Sequence, residues 1–422
     1  MNMMMKMKTS FVSLAVLFTM ALTFSSCEKV PVSDEPQENP YQPMELTTKS
    51  AEFVEKGNSF AFEFLRRIDA SAAGDYIVSP LSMQFLLGMI LDGTNGDTAA
   101  EIASVLGYGA GEVDAVNEFC LSMLKQLPEL DKNTTLSIAN ALVVNQDYRL
   151  NDSYIEETGR YYQAEVTNMD FGASEESASK INQWASDHTQ GMVTKIIEKT
   201  SKDILAYLLN ALYFKGTWVT KFDASLTGKA TFTLEDGKTS EVMMMNQVAR
   251  LPFVETQDFQ AVQLPYGNGA FSMTVLLPKS GKKVSDVTAA LKATPWKTLM
   301  GSMGSAEVNL WLPKYETKFG IKLNDILIAM GMPLSFDEMR ADFSKMSPDA
   351  MCLSFVRQDA AIKVDEEGTE AAAVSSAGVF VTDAGQSSQV LFRADHPFIY
   401  VISEAGTGAV LFAGRFGNEQ SE

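Results

Sequence analysis

The chain has 422 residues, 46% of them hydrophobic and 10% aromatic, enough for one large core or two ordinary ones, which excludes global disorder. Its formal charge of -19, from 34 Lys plus Arg against 53 Asp plus Glu, repels phosphate backbones and anionic headgroups and excludes nucleic acid as a partner. Three cysteines, Cys27, Cys120 and Cys352, permit at most one disulfide; buried free thiols at Cys120 and Cys352 are the expectation, with their pairing left open.

Residues 1–26 read as an address rather than as structure. Lys6 and Lys8 precede an apolar run from Phe11 to Phe24, too short to span a bilayer comfortably, that closes in Ser25-Ser26-Cys27. Small residues just before a cysteine predict a lipoprotein signal cleaved ahead of Cys27, with acyl chains on the new terminus. Each buried methylene contributes about 0.8 kcal/mol, so several chains hold firmly. The alternative is an ordinary secretory peptide, since Phe24 stands where lipoprotein signals more often carry Leu. The lipoprotein reading places the protein at an outer membrane, surface-exposed or periplasmic. From residue 27 to 47, Pro31, Pro36, Pro40 and Pro43 lie among acidic residues without hydrophobic periodicity, which predicts a flexible tether.

The folded domain is expected over residues 48–418, with a short tail at 419–422. Phe53, Gly57, Phe60, Ala61, Phe64 and Ile68 recur at helical spacing and predict a helix with one apolar stripe. Ser79 suits the N-cap and Pro80 the first position of a second helix running to about Leu91. The stretch from Asp92 to Asp97 starts like a calcium loop, but its glycine is displaced and the closing glutamate is missing. A turn with Asp97 capping the next helix is predicted instead. Two nearly continuous apolar runs, Leu136 to Val144 and Ile204 to Phe214, predict long strands of one large sheet. Later come strand-like runs at Phe271 to Leu277, Val308 to Leu312, Ile399 to Ile402 and Val410 to Phe412, with Asn268-Gly269 as a hairpin signal. Helices early and strands late, with no repeat and no second linker, predict an α+β architecture in one cooperative unit.

Catalytic chemistry finds little support. The two histidines, His188 and His396, lie in a helical pattern and at the start of a strand, and both read as structural. Ser79 lacks the flanking glycines of a nucleophile elbow, and no Cys or His pair has metal-ligand spacing. The expectation is therefore no enzyme, no cofactor and no metal. The informative stretch runs from Glu366 to Gly378, small and polar between hydrophobic segments. In one reading Thr369 caps a short alanine-rich helix, or the segment is a loose loop. In the other it can become a strand, with Thr369, Ala371, Ala373, Ser375 and Ala377 sharing one small, uncharged face.

That stretch resembles the reactive-loop hinge of the serpin family over Glu366, Glu367, Gly368, Thr369, Glu370, Ala371, Ala372 and Ala373. Further matches follow in the family's order: residues 76–82, 209–218 and 341–346, then Asp395-His396-Pro397-Phe398 and the closing residues 411–415. The resemblance implies a fold of about eight or nine helices around three β-sheets, with an exposed reactive-centre loop at about 366–388. It implies shutter and breach residues at Ser79, Ser82, Asn210, Trp218, Lys314 and Gln358. Gln358 stands where many serpins have a histidine; an amide donates and accepts but does not titrate. Lys314 and Glu366 are expected to form an ion pair contributing about 0 to 1 kcal/mol if partly exposed. The implied activity is suicide-substrate inhibition of serine proteases by a monomer, through a covalent acyl complex. Family spacing puts the reactive bond between Thr382 and Asp383, with Val381 and Phe380 as alternative cleavage positions. No Lys or Arg occurs from Gly368 to Phe392, so elastase-like or subtilisin-like targets with small apolar pockets are favoured, with cysteine proteases as a further class. The alternative is a non-inhibitory serpin acting as carrier, chaperone or surface binding protein.

Overall fold

Thr47 accepts a hydrogen bond from the Ser50 amide and opens α1 (Thr48–Ser71), in which every residue of the Phe53-to-Ile68 stripe is buried. The computed structural model describes residues 39–109, 111–369 and 389–417. Ser79 caps α2 (Pro80–Asp92) through its hydroxyl, with Pro80 in the first turn, and all of α2 is buried. α3 (Gly96–Val105) takes Asn95 at its N-cap, because the Asn95 amide is fixed by the Asp342 carbonyl. Asp97, expected as the cap, sits in the first turn, where the helix dipole favours its charge. α4 (Val113–Gln126), α5 (Asp152–Tyr162), α6 (Ser174–His188), α7 (Val284–Ala293), α8 (Trp296–Gly301) and α9 (Asn324–Met330) complete nine α-helices among the described residues.

The strands begin with β1 (Tyr76–Val78), β2 (Thr135–Asn145), β3 (Glu165–Met169), β4 (Ala206–Thr217), β5 (Gly228–Thr233), β6 (Thr239–Glu255), β7 (Phe259–Tyr266) and β8 (Phe271–Pro278). They continue with β9 (Gly304–Pro313), β10 (Tyr315–Lys322), β11 (Arg357–Val364), β12 (Gly368–Thr369), β13 (Val390–Arg393), β14 (Phe398–Glu404) and β15 (Val410–Phe416). Three groups of strands result. One is a six-stranded sheet in the order β10-β11-β12-β4-β2-β3. The other two are continuous with each other, because the 17-residue β6 pairs with β5 and β9 along most of its length and with β7 at its end. The apolar runs read from the sequence are β2 and β4, antiparallel neighbours from Thr135 opposite Lys215 to Val144 opposite Ala206. α2 packs against both β4 and β15 and so lies between two sheets, which is why none of its faces is polar.

Two expectations need correction. Residues 39–47, read as the end of a flexible tether, pack against the domain. The Tyr41 hydroxyl donates to Glu404 at 2.7 Å, the Asn39 amide to Asp131 at 2.7 Å, and Met44 is buried. Their partners Asp131 and Glu404 lie far away in sequence, which proline spacing cannot reveal. Cys120 and Cys352 are free, but only Cys120 is buried; Cys352 lies half-exposed in the irregular stretch before β11. Burial pushes the Cys120 thiol up to about 12. The signal segment, Cys27 and the tail at 419–422 lie outside the described residues.

Candidate functional site

The upper end of the six-stranded sheet is built by a sharp reversal after β11. Asp365 donates its amide to the Gly368 carbonyl at 2.9 Å, and the chain returns as β12 between β11 and β4. Thr369 stands opposite both Val364 and Gly216, and Gly368 opposite Thr217. Position 368 must be glycine, since a Cβ there would overlap the Gly216 carbonyl oxygen and come within 2.9 Å of Thr217 Cα. The amides of Trp218 and Phe222 donate to the carbonyls of Glu367 and Glu366 at 2.9 and 3.0 Å. Over residues 366–369 the structure departs from the helix-cap and loose-loop reading and from an exposed loop beginning at 366, and agrees with the strand reading at Thr369. Those residues are neither the base of an exposed loop nor a helix cap; Gly368 and Thr369 are already strand. Thr369 is 2% exposed, and its hydroxyl lies 2.5 Å from that of Tyr266. Glu370, Ala371, Ala372 and Ala373, and the reactive-bond candidates Phe380, Val381, Thr382 and Asp383, lie outside the described residues.

Aromatic and charged groups lock this end. Trp218 is buried, stacks on Tyr266 with ring centroids 4.4 Å apart, and donates its indole N–H to the Asp365 carbonyl at 2.9 Å. Lys314 Nζ reaches Glu366 at 2.6 Å, and Lys221 Nζ reaches Glu367 at 2.6 Å. Burial by itself raises the Glu366 carboxyl, but the bond from Lys314 and further hydrogen bonds outweigh it and leave the group below its ordinary range. Glu366 is only 9% exposed, so the expected pair of partly exposed ions is instead half-buried. The second pair, Lys221 with Glu367, had no sequence signal, because a lysine in a loop announces nothing about its partner.

Below Thr369 the sheet changes character. Among the described residues β4 and β11 are connected only through the two residues of β12. A cavity of about 820 Å³ lies between them lower down, bordered by Leu208 and Asn210 of β4, Gln358 and Ala360 of β11, and Ser82 and Met83 of α2. The polar groups of α2, β4 and β11 on its border are hydrogen-bonded to one another and to neighbouring backbone. The Gln358 amide accepts from Ser79 N at 3.1 Å and donates to Ser79 O at 2.8 Å. The Ser79 hydroxyl donates to the Leu411 carbonyl at 2.8 Å, while the Ser82 hydroxyl donates to Asn210 Oδ1. Asn210 Nδ2 in turn donates to Asn140 Oδ1 at 2.6 Å, and Asn140 Nδ2 to the Tyr162 carbonyl at 2.7 Å. Ser79, Ser82, Asn210 and Gln358 thus meet as one network, while Trp218 and Lys314 belong to the upper lock. Sequence reading missed Asn140 and Tyr266. A lone asparagine within the apolar run of β2 was a usable signal for the first; Tyr266 carried none.

The two histidines bond backbone and a neighbouring carboxylate. His188 Nδ1 lies 2.9 Å from the Trp184 carbonyl one turn back, and His396 bridges Asp395 and the Pro278 carbonyl at 3.0 and 2.9 Å. Among the described residues neither is bonded to a serine or cysteine side chain. What the arrangement offers is a strand-shaped opening whose first two rungs are filled by the segment that leads into residues 370–388.

The fold and this opening define a protein whose large sheet has already admitted the start of a returning strand. The chain belongs to the serpin family: the family model described as Serpin (serine protease inhibitor) matches residues 55–418. Human Serpin B11 is 31% identical over 386 residues, covering 85% of this chain and 97% of that protein. An uncharacterized serpin-like protein of Thermococcus kodakarensis is 33% identical over 364 residues, covering 86% and 84%. Among solved structures, the thermophilic serpin tengpin in its native state superimposes with a TM-score of 0.80 at 27% identity, covering 90% of this chain and 97% of that one. Human thyroxine-binding globulin complexed with thyroxine gives 0.80 at 25% identity, covering 88% and 100%. The family's general activity is protease inhibition rather than catalysis.

Proposed function

We propose that this protein inhibits a serine protease by presenting residues 370–388 for cleavage and then drawing the severed segment into the six-stranded sheet as a full strand. The observation that carries the reading is the placement of Gly368 and Thr369 between β11 and β4, directly above an opening bordered by the same two strands. The residues that would follow onto the Thr369 face are Ala371, Ala373, Ser375 and Ala377, small enough to enter without overfilling it. If about ten residues each gain roughly 0.5 to 1 kcal/mol from strand hydrogen bonds, about 5 to 10 kcal/mol is released, comparable with a protein's whole stability. Loop insertion into a serpin sheet is itself a standard example of stored strain. Spent on dragging an acylated protease, that energy distorts its oxyanion hole and stalls deacylation.

The finer reading places the reactive bond at Thr382-Asp383, with cleavage after Val381 or Phe380 as alternatives, and favours elastase-like or subtilisin-like enzymes. The protein acts as a monomer held at an outer membrane through acylated Cys27, and cysteine proteases are a further class of target. Incubation of residues 39–422 with an elastase-like protease tests the core of the proposal. A covalent complex that survives denaturing electrophoresis is expected, and mass spectrometry of the released C-terminal peptide locates the bond. The likeness to thyroxine-binding globulin supports a second reading, a carrier whose loop is cut without trapping anything. Complete cleavage with no complex, across elastase-like, subtilisin-like and chymotrypsin-like enzymes, would favour that reading.

A further inference from the structure

The residues ahead of α1 are held by two buried carboxylates that also hold the turn carrying Tyr266. Asp131 is 1% exposed, and both of its oxygens are hydrogen-bonded. Oδ1 accepts from Asn39 Nδ2 at 2.7 Å and from the Asn133 amide at 2.9 Å, while Oδ2 accepts from the Thr134 hydroxyl at 2.6 Å and the Asn268 amide at 3.2 Å. Asn39 Oδ1 in turn accepts from the Lys132 amide at 3.3 Å and from Asn268 Nδ2 at 3.5 Å. Asn39 and Asn268, 229 positions apart, thus meet on one carboxylate.

Glu404, fully buried, does the same on the other flank. Its Oε1 accepts from the Tyr41 hydroxyl at 2.7 Å and the Gly406 amide at 2.9 Å, and its Oε2 from the Thr407 amide and hydroxyl at 2.7 and 2.5 Å. A Cβ at Gly406 would overlap the Tyr41 hydroxyl, so the ring is closely seated. The next residue, Ala405, donates its amide to the Ala270 carbonyl at 2.8 Å. The turn between β7 and β8 is therefore gripped at Asn268 and at Ala270, and Asn39 and Tyr41 supply one donor to each grip.

That turn anchors the upper lock. Gly267 donates its amide to the Thr217 carbonyl at 2.9 Å, and Thr217 stands opposite Gly368. The φ of Gly267 is 48°, and a Cβ there would overlap Asp131 Oδ2, so carboxylate and turn touch directly. Tyr266, one residue earlier, stacks on Trp218 and meets the Thr369 hydroxyl.

We propose that Asn39 and Tyr41 are positioning residues for the hinge, acting through Asp131, Glu404 and the β7–β8 turn to hold Tyr266 against Trp218 and Thr369. Without either donor a buried carboxylate is left one hydrogen bond short, and the turn relieves that cost by moving toward water. The movement draws Tyr266 away from Thr369 and loosens β12. The importance of this brace for strand insertion rests on the inhibitory reading, but its test uses no protease, so either can fail without the other.

The test is hydrogen exchange of the intact protein, read by mass spectrometry on peptides covering residues 214–222 and 361–369, with β3 and α7 as distant references. The first peptide contains the amides of Trp218 and Phe222, which donate to the carbonyls of Glu367 and Glu366. Asn39→Ala should speed exchange in both peptides about tenfold, the size of one lost bond to a charged group, and leave the references at wild-type rates. Tyr41→Phe keeps the ring and removes only the donor. It should give about a threefold rise, because Glu404 reaches the turn through the single backbone bond of Ala405, and it carries the test if Asn39→Ala fails to fold. Tyr266→Phe should speed the same amides, and combined with Asn39→Ala it should fall short of the product of the two separate effects. Fully multiplicative effects would overturn the proposal, since the brace would not act through Tyr266. So would faster exchange confined to residues 126–134 and 401–409, or an equal rise in β3 and α7, which marks a general loss of stability.

Discussion

The two ends of the six-stranded sheet are held by different chemistry. At the upper end, two lysine-glutamate pairs, a tryptophan stacked on a tyrosine and two residues of β12 close the gap between β4 and β11. Lower down, the gap is bordered by neutral amides and hydroxyls that bond one another across α2, β2, β4 and β11. A half-buried ion pair that loses one member leaves an uncompensated charge, whereas amides and hydroxyls exchange partners at about 1 kcal/mol each. The upper end therefore fixes where a returning strand begins and in which register, and the lower end can be opened and closed again.

Thr369→Arg gives the largest expected break in this contrast. A guanidinium in a site 2% exposed, against the Tyr266 hydroxyl, costs about 3 kcal/mol or more of native stability and should expel β12 from the sheet. The protein then becomes a plain substrate, cut without a covalent band on a denaturing gel; undiminished trapping would show that Thr369 does not lead the inserting strand. Gly368→Ala should act in the same direction through backbone overlap alone, lowering the melting temperature without adding charge. Glu366→Lys comes next. The sequence alone suggested an effect of about 0 to 1 kcal/mol, but the burial of Glu366 beside Lys314 raises the expectation to about 2 kcal/mol in urea unfolding.

At the lower end, Asn140→Leu and Asn210→Leu should each cost about 1 to 2 kcal/mol. Their double variant should cost less than the sum, because the two amides bond each other at 2.6 Å. Strict additivity in a double-mutant cycle would show that the network is not continuous across β2 and β4. The smallest effect is expected from Lys221→Ala, about 0.5 kcal/mol, since its pair with Glu367 is about a quarter exposed on both sides. A loss as large as that of Glu366→Lys would mean that the two upper pairs act as one unit. Cleavage within residues 370–388 should raise the melting temperature well above that of the intact protein; a clipped form that melts no higher has not gained a strand.

Much of the framework was legible in local pattern. The stripe from Phe53 to Ile68 became α1, Ser79-Pro80 opened α2, and the apolar runs of β2 and β4 became neighbours in one sheet. The Lys314-Glu366 pair and the role of Gln358 at the opening came from the resemblance of ordered motifs, not from periodicity. Two of the three errors share a cause. Asp97 lost the cap to Asn95 through a bond from the Asn95 amide to Asp342, the residues before α1 are pinned by Asp131 and Glu404, and Cys352 lies only partly buried in an irregular stretch. In the first two, the deciding partner lies scores to hundreds of residues away.

By itself the sequence determined the α+β class, the long buried strands and a small, uncharged face beginning at Thr369, because side-chain volume and periodicity are properties of neighbouring residues. Only the tertiary structure decided that Gly368 and Thr369 already lie in the sheet, that the Tyr266 and Thr369 hydroxyls bond each other, and that Asn140 meets Asn210. Those facts depend on which distant segments meet and how much water is excluded where they meet. Burial and pairing set the energy of a polar group, and neither is written in its immediate neighbours along the chain.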